Sequence, residues 1–178
     1  MKELDKYIIN KQFYRFFKRD RFYKAIPISF HDNKVKLKII NNDKSSLYHF
    51  FLPVEFLNHS SIKRIKDKKF FTKENILYVS IIKFDKRTNI AICSQFSSTI
   101  FINIFKEILN FMLRKFKKDY ELVFVRVKFN HILKKIEFFA TFKNDKKING
   151  KFLSFFSYIL EEKLGNIKIN VTYSSKKQ

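Results

Sequence analysis

TIFINIFKEILNFMLRKFKKDYELVFVRVKF, residues 99–129, changes its hydrophobic period partway along, and that change decides the fold class. In its first part Phe101, Ile104, Phe105, Ile108, Leu109, Met112, Leu113 and Phe116 recur at spacings of three and four. That is the stripe of an amphipathic helix, with Asn103, Lys106, Glu107, Asn110 and Arg114 on the wet side. Ser97, Ser98 or Thr99 can cap its start. Asp119 breaks the helix, and from Leu122 the period is two. Val123, Val125, Val127 and Phe129 face one way, Arg126 and Lys128 the other, as a half-buried strand requires.

Toward the C-terminus, Asn130–Lys134 turns the chain back into a strand, Lys135–Phe142, with Ile136, Phe138, Ala140 and Phe142 on its apolar face. A second helix is predicted over Lys151–Leu164 from the stripe Phe152, Phe155, Phe156, Ile159 and Leu160, with Gly165 as its C-cap. A short strand, Ile167–Tyr173, and a basic tail follow. Toward the N-terminus, Ile76–Phe84 reads as a buried strand, Leu47–Leu52 as a strand ended by Pro53, and Lys34–Ile39 alternates strictly. Asn41–Ser45 and Asp85–Asn89 are turns.

Strands followed by a helix thus occur twice. The fold class expected is α+β, with two small similar units, each an antiparallel sheet packed with one helix. They would span 26–118 and a shortened 119–178. Residues 1–25 mix Tyr7, Phe13, Tyr14, Phe16, Phe17, Phe22 and Tyr23 with basic side chains and no strict period. They read as a basic aromatic extension, packed on a neighbouring protein or stacked on unpaired bases.

The chain has 178 residues, 38 Lys plus Arg against 16 Asp plus Glu, and a net charge of +22. With 46% hydrophobic and 18% aromatic residues it is far too apolar for a disordered basic tail. Phe, Lys, Ile and Asn supply 92 of the 178 residues, whereas Gly and Pro occur twice each, the mark of a very AT-rich genome. A surplus of this size repels itself unless a polyanion neutralises it, and nucleic acid is the commonest. The longest uncharged stretch, Thr88–Phe105, is broken by Asn89, Ser94, Gln95 and Asn103, so no transmembrane segment is expected. Met1–Lys6 contains Glu3 and Asp5, unlike a signal peptide or an imported mitochondrial leader.

Catalysis finds no support in the sequence. Two glycines cannot make a phosphate-cradling loop, the four histidines stand apart, and Cys93 has no companion, so neither metal nor cofactor is expected. The expected RNA-binding residues are Arg15, Lys18, Arg19 and Arg21 in the extension. Lys143, Lys146, Lys147 and Lys151 join them around the turn before the second helix, with Lys163, Lys168, Lys176 and Lys177 after it.

The order of these segments resembles the ribosomal large-subunit protein six family over residues 25–173. Ile26-Pro27-Ile28 looks like its opening strand, and Asn33–Ile39 like the next. Asn75–Val79 looks like the strand before its linking helix. Ser98–Arg114, with Ile102, Asn103 and Ile104, is similar to that helix, Phe116–Val127 to its junction, and Asp145–Phe152 to its entry into the second helix. Arg114, Phe124 and Arg126 stand where the family has junction glycines, and its Tyr-Lys-Gly-Lys-Gly segment survives only as Lys163 and Gly165. The resemblance implies two alike domains and a structural role in the large subunit, on ribosomal RNA near the translation-factor site and beside neighbouring ribosomal proteins. Combined with the composition, it implies an organelle-encoded mitochondrial ribosomal protein that is not an enzyme and has no small-molecule substrate. The alternatives are a different mitochondrial ribosomal protein, of either subunit, and a basic peripheral accessory subunit of a membrane complex.

Overall fold

The computed structural model describes residues 12–19 and 21–174. The chain divides into two compact units, Met1–Ile100 and Phe101–Gln178. This boundary falls before the one expected at 118, because the long helix carries its apolar stripe into the second unit.

The first unit has strands β1 (Phe22–His31), β2 (Lys34–Ile39), β3 (His49–Pro53), β4 (Leu77–Asp85) and β5 (Ile90–Ser94). Alternation drives β2: Val35, Leu37 and Ile39 are buried while Lys34, Lys36 and Lys38 are exposed. Asp32 and Asn33, both at positive φ, close the β1–β2 hairpin, a conformation that Asp and Asn tolerate. At the β4–β5 turn, the Asp85 carboxylate accepts the Arg87 N–H and the Thr88 hydroxyl, both at 2.9 Å. These two bonds, then the positive charge of Arg87 and Lys83, hold its carboxyl below the usual range.

β1 pairs with both β2 and β4, closing a barrel in the order β1-β2-β3-β5-β4 with no open edge. The sheet is mostly antiparallel, as expected, but the β3–β5 pair is parallel. Ile90–Ser94, read only as part of an uncharged stretch, is the strand that forces this. Between β3 and β4 lies the short helix α1 (His59–Arg64), capped by the Asn58 side chain. Gln95 Oε1 accepts the Asn58 N–H at 2.9 Å, so both buried polar side chains are used. This strand order, with a short helix before β4, is that of the OB-fold.

Residues 12–16 are helical, and Phe13 and Phe17, one turn apart, are fully buried in the barrel core. Phe13 stacks on Phe84 at 3.8 Å and meets Tyr48 edge-on at 4.9 Å; Phe17 lies 5.1 Å from Phe50. The extension expected over 1–25 is therefore, from residue 12, part of the barrel unit. Its last residues, from Phe22, already belong to β1. Phe13 and Phe17 pack on this chain rather than on bases or a neighbour, because their rings fill space that the barrel strands leave. Cys93 is fully buried, which pushes its thiol far above the ordinary range and keeps it protonated.

The second unit holds most of helix α2 (Ser98–Lys115), then β6 (Leu122–Asn130), β7 (Lys135–Phe142), α3 (Gly150–Leu164) and β8 (Ile167–Tyr173). The Ser97 hydroxyl caps α2, accepting the Ile100 N–H at 3.2 Å. Gly165 ends α3 at φ 89°, its N–H on the Glu161 carbonyl at 2.8 Å. The sheet runs β6-β7-β8, with β6–β7 antiparallel and β7–β8 parallel. The crossover through α3 makes the second pair parallel, again unlike the antiparallel sheet expected. Ile136, Phe138, Ala140 and Phe142 are buried on one face of β7, and Phe105 of α2 lies 4.9 Å from both Phe138 and Phe156 of α3. A bulge beside Leu122 turns Val123 outward, leaving it 48% exposed instead of on the apolar face. The fold class is α+β with two sheets, each packed with helix. The units are not alike, however: one is a closed barrel, the other an open three-stranded sheet with two helices.

Candidate nucleic-acid interface

The expected basic residues divide into several groups. Lys176 and Lys177 lie outside the described residues. In the segment that fills the barrel, Arg15, Lys18, Arg19 and Arg21 are exposed. Arg19 donates to the Tyr14 hydroxyl at 2.8 Å, its guanidinium 4.9 Å from that ring, and the Lys18 N–H donates to the Tyr23 hydroxyl at 2.6 Å. In the second unit Lys143 pairs with Glu121 at 2.6 Å, and Lys146 with Asp119. Each hydrogen bond raises the lysine's pKa, and the one from Lys146 lowers that of Asp119. Those carboxylates are far away in sequence, and the fold delivers them to the turn. Lys147, Lys151 and Lys163 are exposed, and Lys168 lies 3.7 Å from Glu137. The turn before α3 is therefore less basic than its sequence implies.

A stronger basic surface lies on the barrel. The registers place Ser29 of β1, Lys36 of β2, Phe51 of β3, Ile92 of β5 and Lys83 of β4 in one row across the outside. Lys34 and Lys38 flank Lys36 on β2, and the Lys34 ammonium sits 5.7 Å from the Phe51 ring. At the β1–β4 seam Lys24 lies 6.0 Å from Tyr78, which Phe22 meets edge-on at 5.4 Å. No carboxylate occupies these paired positions. Lysines beside a half-exposed aromatic ring can contact phosphates while the ring accepts a base. The signal was present as the strict alternation of Lys34–Ile39; without the register, nothing joined those lysines to Phe51.

The face of the second sheet opposite the helices is the other candidate. Phe124, Thr141 and Thr172 form one row, Arg126, Phe139 and Asn170 the next, and Lys128, Glu137 and Lys168 the third. Arg126 and Lys128 lie 5.0 and 5.4 Å from the Phe139 ring, and Phe124 is 52% exposed. Glu137 accepts from Asn170 at 3.0 Å, which holds its carboxyl below the usual range with help from Lys168. That carboxylate cancels part of the positive charge, so this face attracts a polyanion less strongly than the barrel row does.

Among the described residues no three His, Cys, Asp or Glu side chains gather where they could hold a metal ion, and no helix is long and apolar enough to cross a membrane. The sequence matches no protein-family model and no curated protein. Among solved structures, a chain of the a/eIF2alpha-aDim2p-rRNA complex from Pyrococcus horikoshii OT3 is similar to this one, at 14% identity and a TM-score of 0.35. The likeness covers 57% of this chain and 64% of that one, less than two thirds of its length. At that score it carries no weight for fold or function.

Proposed function

We propose that this chain is a non-enzymatic RNA-binding protein that holds single-stranded segments across the β1–β2–β3 face of its barrel. The observation that carries the reading is the lysine row Lys34, Lys36 and Lys38 beside Phe51, on a face whose paired positions contain no carboxylate. Lysines supply affinity through phosphate contacts and counterion release, and the ring supplies sequence-tolerant stacking. OB-fold barrels commonly use this face for oligonucleotides, which supports the reading by analogy alone. The Phe139 face of the second unit is a further stacking surface of the same chemistry.

The finer reading is a ribosomal protein of an AT-rich organelle, mitochondrial and of the large subunit, bound to ribosomal RNA among other ribosomal proteins. The net charge of +22 and the codon-driven composition support it. The resemblance to the protein six family implies two alike domains, and the barrel and the open sheet are unlike, so this reading leans on charge and composition. Sedimentation of a native organellar lysate, with and without ribonuclease, tests it. Co-migration with large-subunit RNA, lost on ribonuclease treatment, is the expected result. Migration with small-subunit RNA overturns the subunit, and migration with a membrane complex that survives ribonuclease overturns the ribosomal reading.

A further inference from the structure

A cleft of about 370 Å³ opens in the second unit where the end of α2 meets the start of α3, lined by Phe116, Lys118, Asn149, Lys151, Phe152 and Phe155. Its wall is aromatic. Phe116 stands nearly perpendicular to both Phe152 and Phe155, at 6.3 and 5.7 Å, and Phe116 and Phe155 are each about 40% exposed. Phe152 is the buried floor, backed by Tyr120 at 5.2 Å. The Asn149 N–H donates to the Tyr120 hydroxyl at 3.1 Å, which ties the entry of α3 to this wall. Lys118 and Lys151 line the cleft, and Lys115 lies 5.8 Å from the Phe116 ring. Of the carboxylates on the adjoining segments, Asp119 is engaged by Lys146 and Glu121 by Lys143, and the charge of Asp145 acts on the same two lysines.

The two half-exposed rings, at right angles, offer a planar group one flat apolar face to stack on and a second ring along its edge, and the lysines beside them offer positive charge. An unpaired nucleotide carries both complements on one molecule, whereas a neutral apolar ligand would leave the lysines unused. The volume is within the range of sites that enclose small molecules. The backbone amides of Lys151 and Phe152 are taken by the Asn149 side chain at 2.8 and 3.4 Å, so a phosphate here must rely on the lysine side chains. We propose that this cleft is a single-nucleotide pocket, the base packed against Phe116 and Phe155 and the phosphate held by Lys118 and Lys151. It rests on the RNA-binding reading and deepens it, adding a site that grips one flipped-out nucleotide.

The test titrates the full chain with adenosine 5′-monophosphate, with adenosine and with inorganic phosphate, following the aromatic ring protons of Phe116, Phe152 and Phe155 by NMR. The monophosphate is expected to shift these rings at lower concentration than adenosine, and phosphate alone to leave them unshifted. Phe116→Ala with Phe155→Ala should weaken monophosphate binding about tenfold or more, since base–aromatic stacking carries that much. Lys118→Gln with Lys151→Gln, both on the surface, should erase the preference for the monophosphate over adenosine and keeps the test open if the phenylalanine variant fails to fold. Equal affinity in wild type and phenylalanine variant overturns the pocket, as does an anionic short-chain lipid that shifts these rings when the monophosphate does not. Failure of the wild type to bind longer single-stranded RNA, with the monophosphate still shifting these rings, would instead sink the barrel reading and leave the pocket standing.

Discussion

Replacing Phe13 and Phe17 by alanine will cost the barrel unit most of its stability, although both residues precede the first strand. Each ring is fully buried, and the two stack on each other at 5.1 Å. Truncating a buried Phe costs about 3–5 kcal/mol, from lost transfer energy and from the cavity left behind. The pair will cost less than twice that, because the two rings share one cavity. Against a domain stability of about 5–15 kcal/mol this is enough to unfold a marginal barrel. Denaturant unfolding of the full chain, with each single variant beside the double, measures it. A change near zero would mean that residues 12–19 rest on the barrel without filling it.

Reversing Lys34, Lys36 and Lys38 to glutamate will weaken binding to single-stranded RNA by about a hundredfold near 0.1 M salt, because each phosphate contact on a single strand contributes about 0.7 to the salt slope. The same variant should flatten that slope by about two. All three side chains point to solvent from β2, whose buried Val35, Leu37 and Ile39 are untouched, so the fold should survive the change. A Gln series at the same positions should show a smaller loss, since it removes attraction without adding repulsion. Unchanged affinity and slope would remove the barrel face from the interface and move the weight to the Phe139 face of the second unit.

The elements that periodicity revealed are those whose burial is one-sided. β2, β7, α2 and α3 each put one face in the core and one in water, so their pattern survives in the sequence. What stayed hidden depends on pairing between distant segments. β5 is five residues long and buried at three of them, too short and too apolar to alternate. Closure of the barrel through β1–β4 and the parallel β3–β5 and β7–β8 pairs are register facts with no local mark. The long helix showed its apolar stripe without showing which sheet would receive it. Phe13 and Phe17 did carry a signal, a four-residue spacing on one helical turn, drowned by the other aromatics around them.

The interface was legible to a similar degree. Positive charge was plain in the composition, yet the cluster expected around Lys143 and Lys146 meets Glu121 and Asp119 in the fold. The lysines of β2, by contrast, read in sequence as an ordinary wet strand face. They become a candidate site only once Phe51 and Lys83 are set in their row.

The most direct test of RNA binding is a titration of the full wild-type chain with a labelled single-stranded RNA at salt concentrations from about 50 to about 200 mM, the range over which counterion release is steep. RNA binding through the barrel lysines predicts saturable binding at the lower salt and a log–log slope of about −2 or steeper. Absence of binding at the lower salt, or a slope near zero, would contradict it.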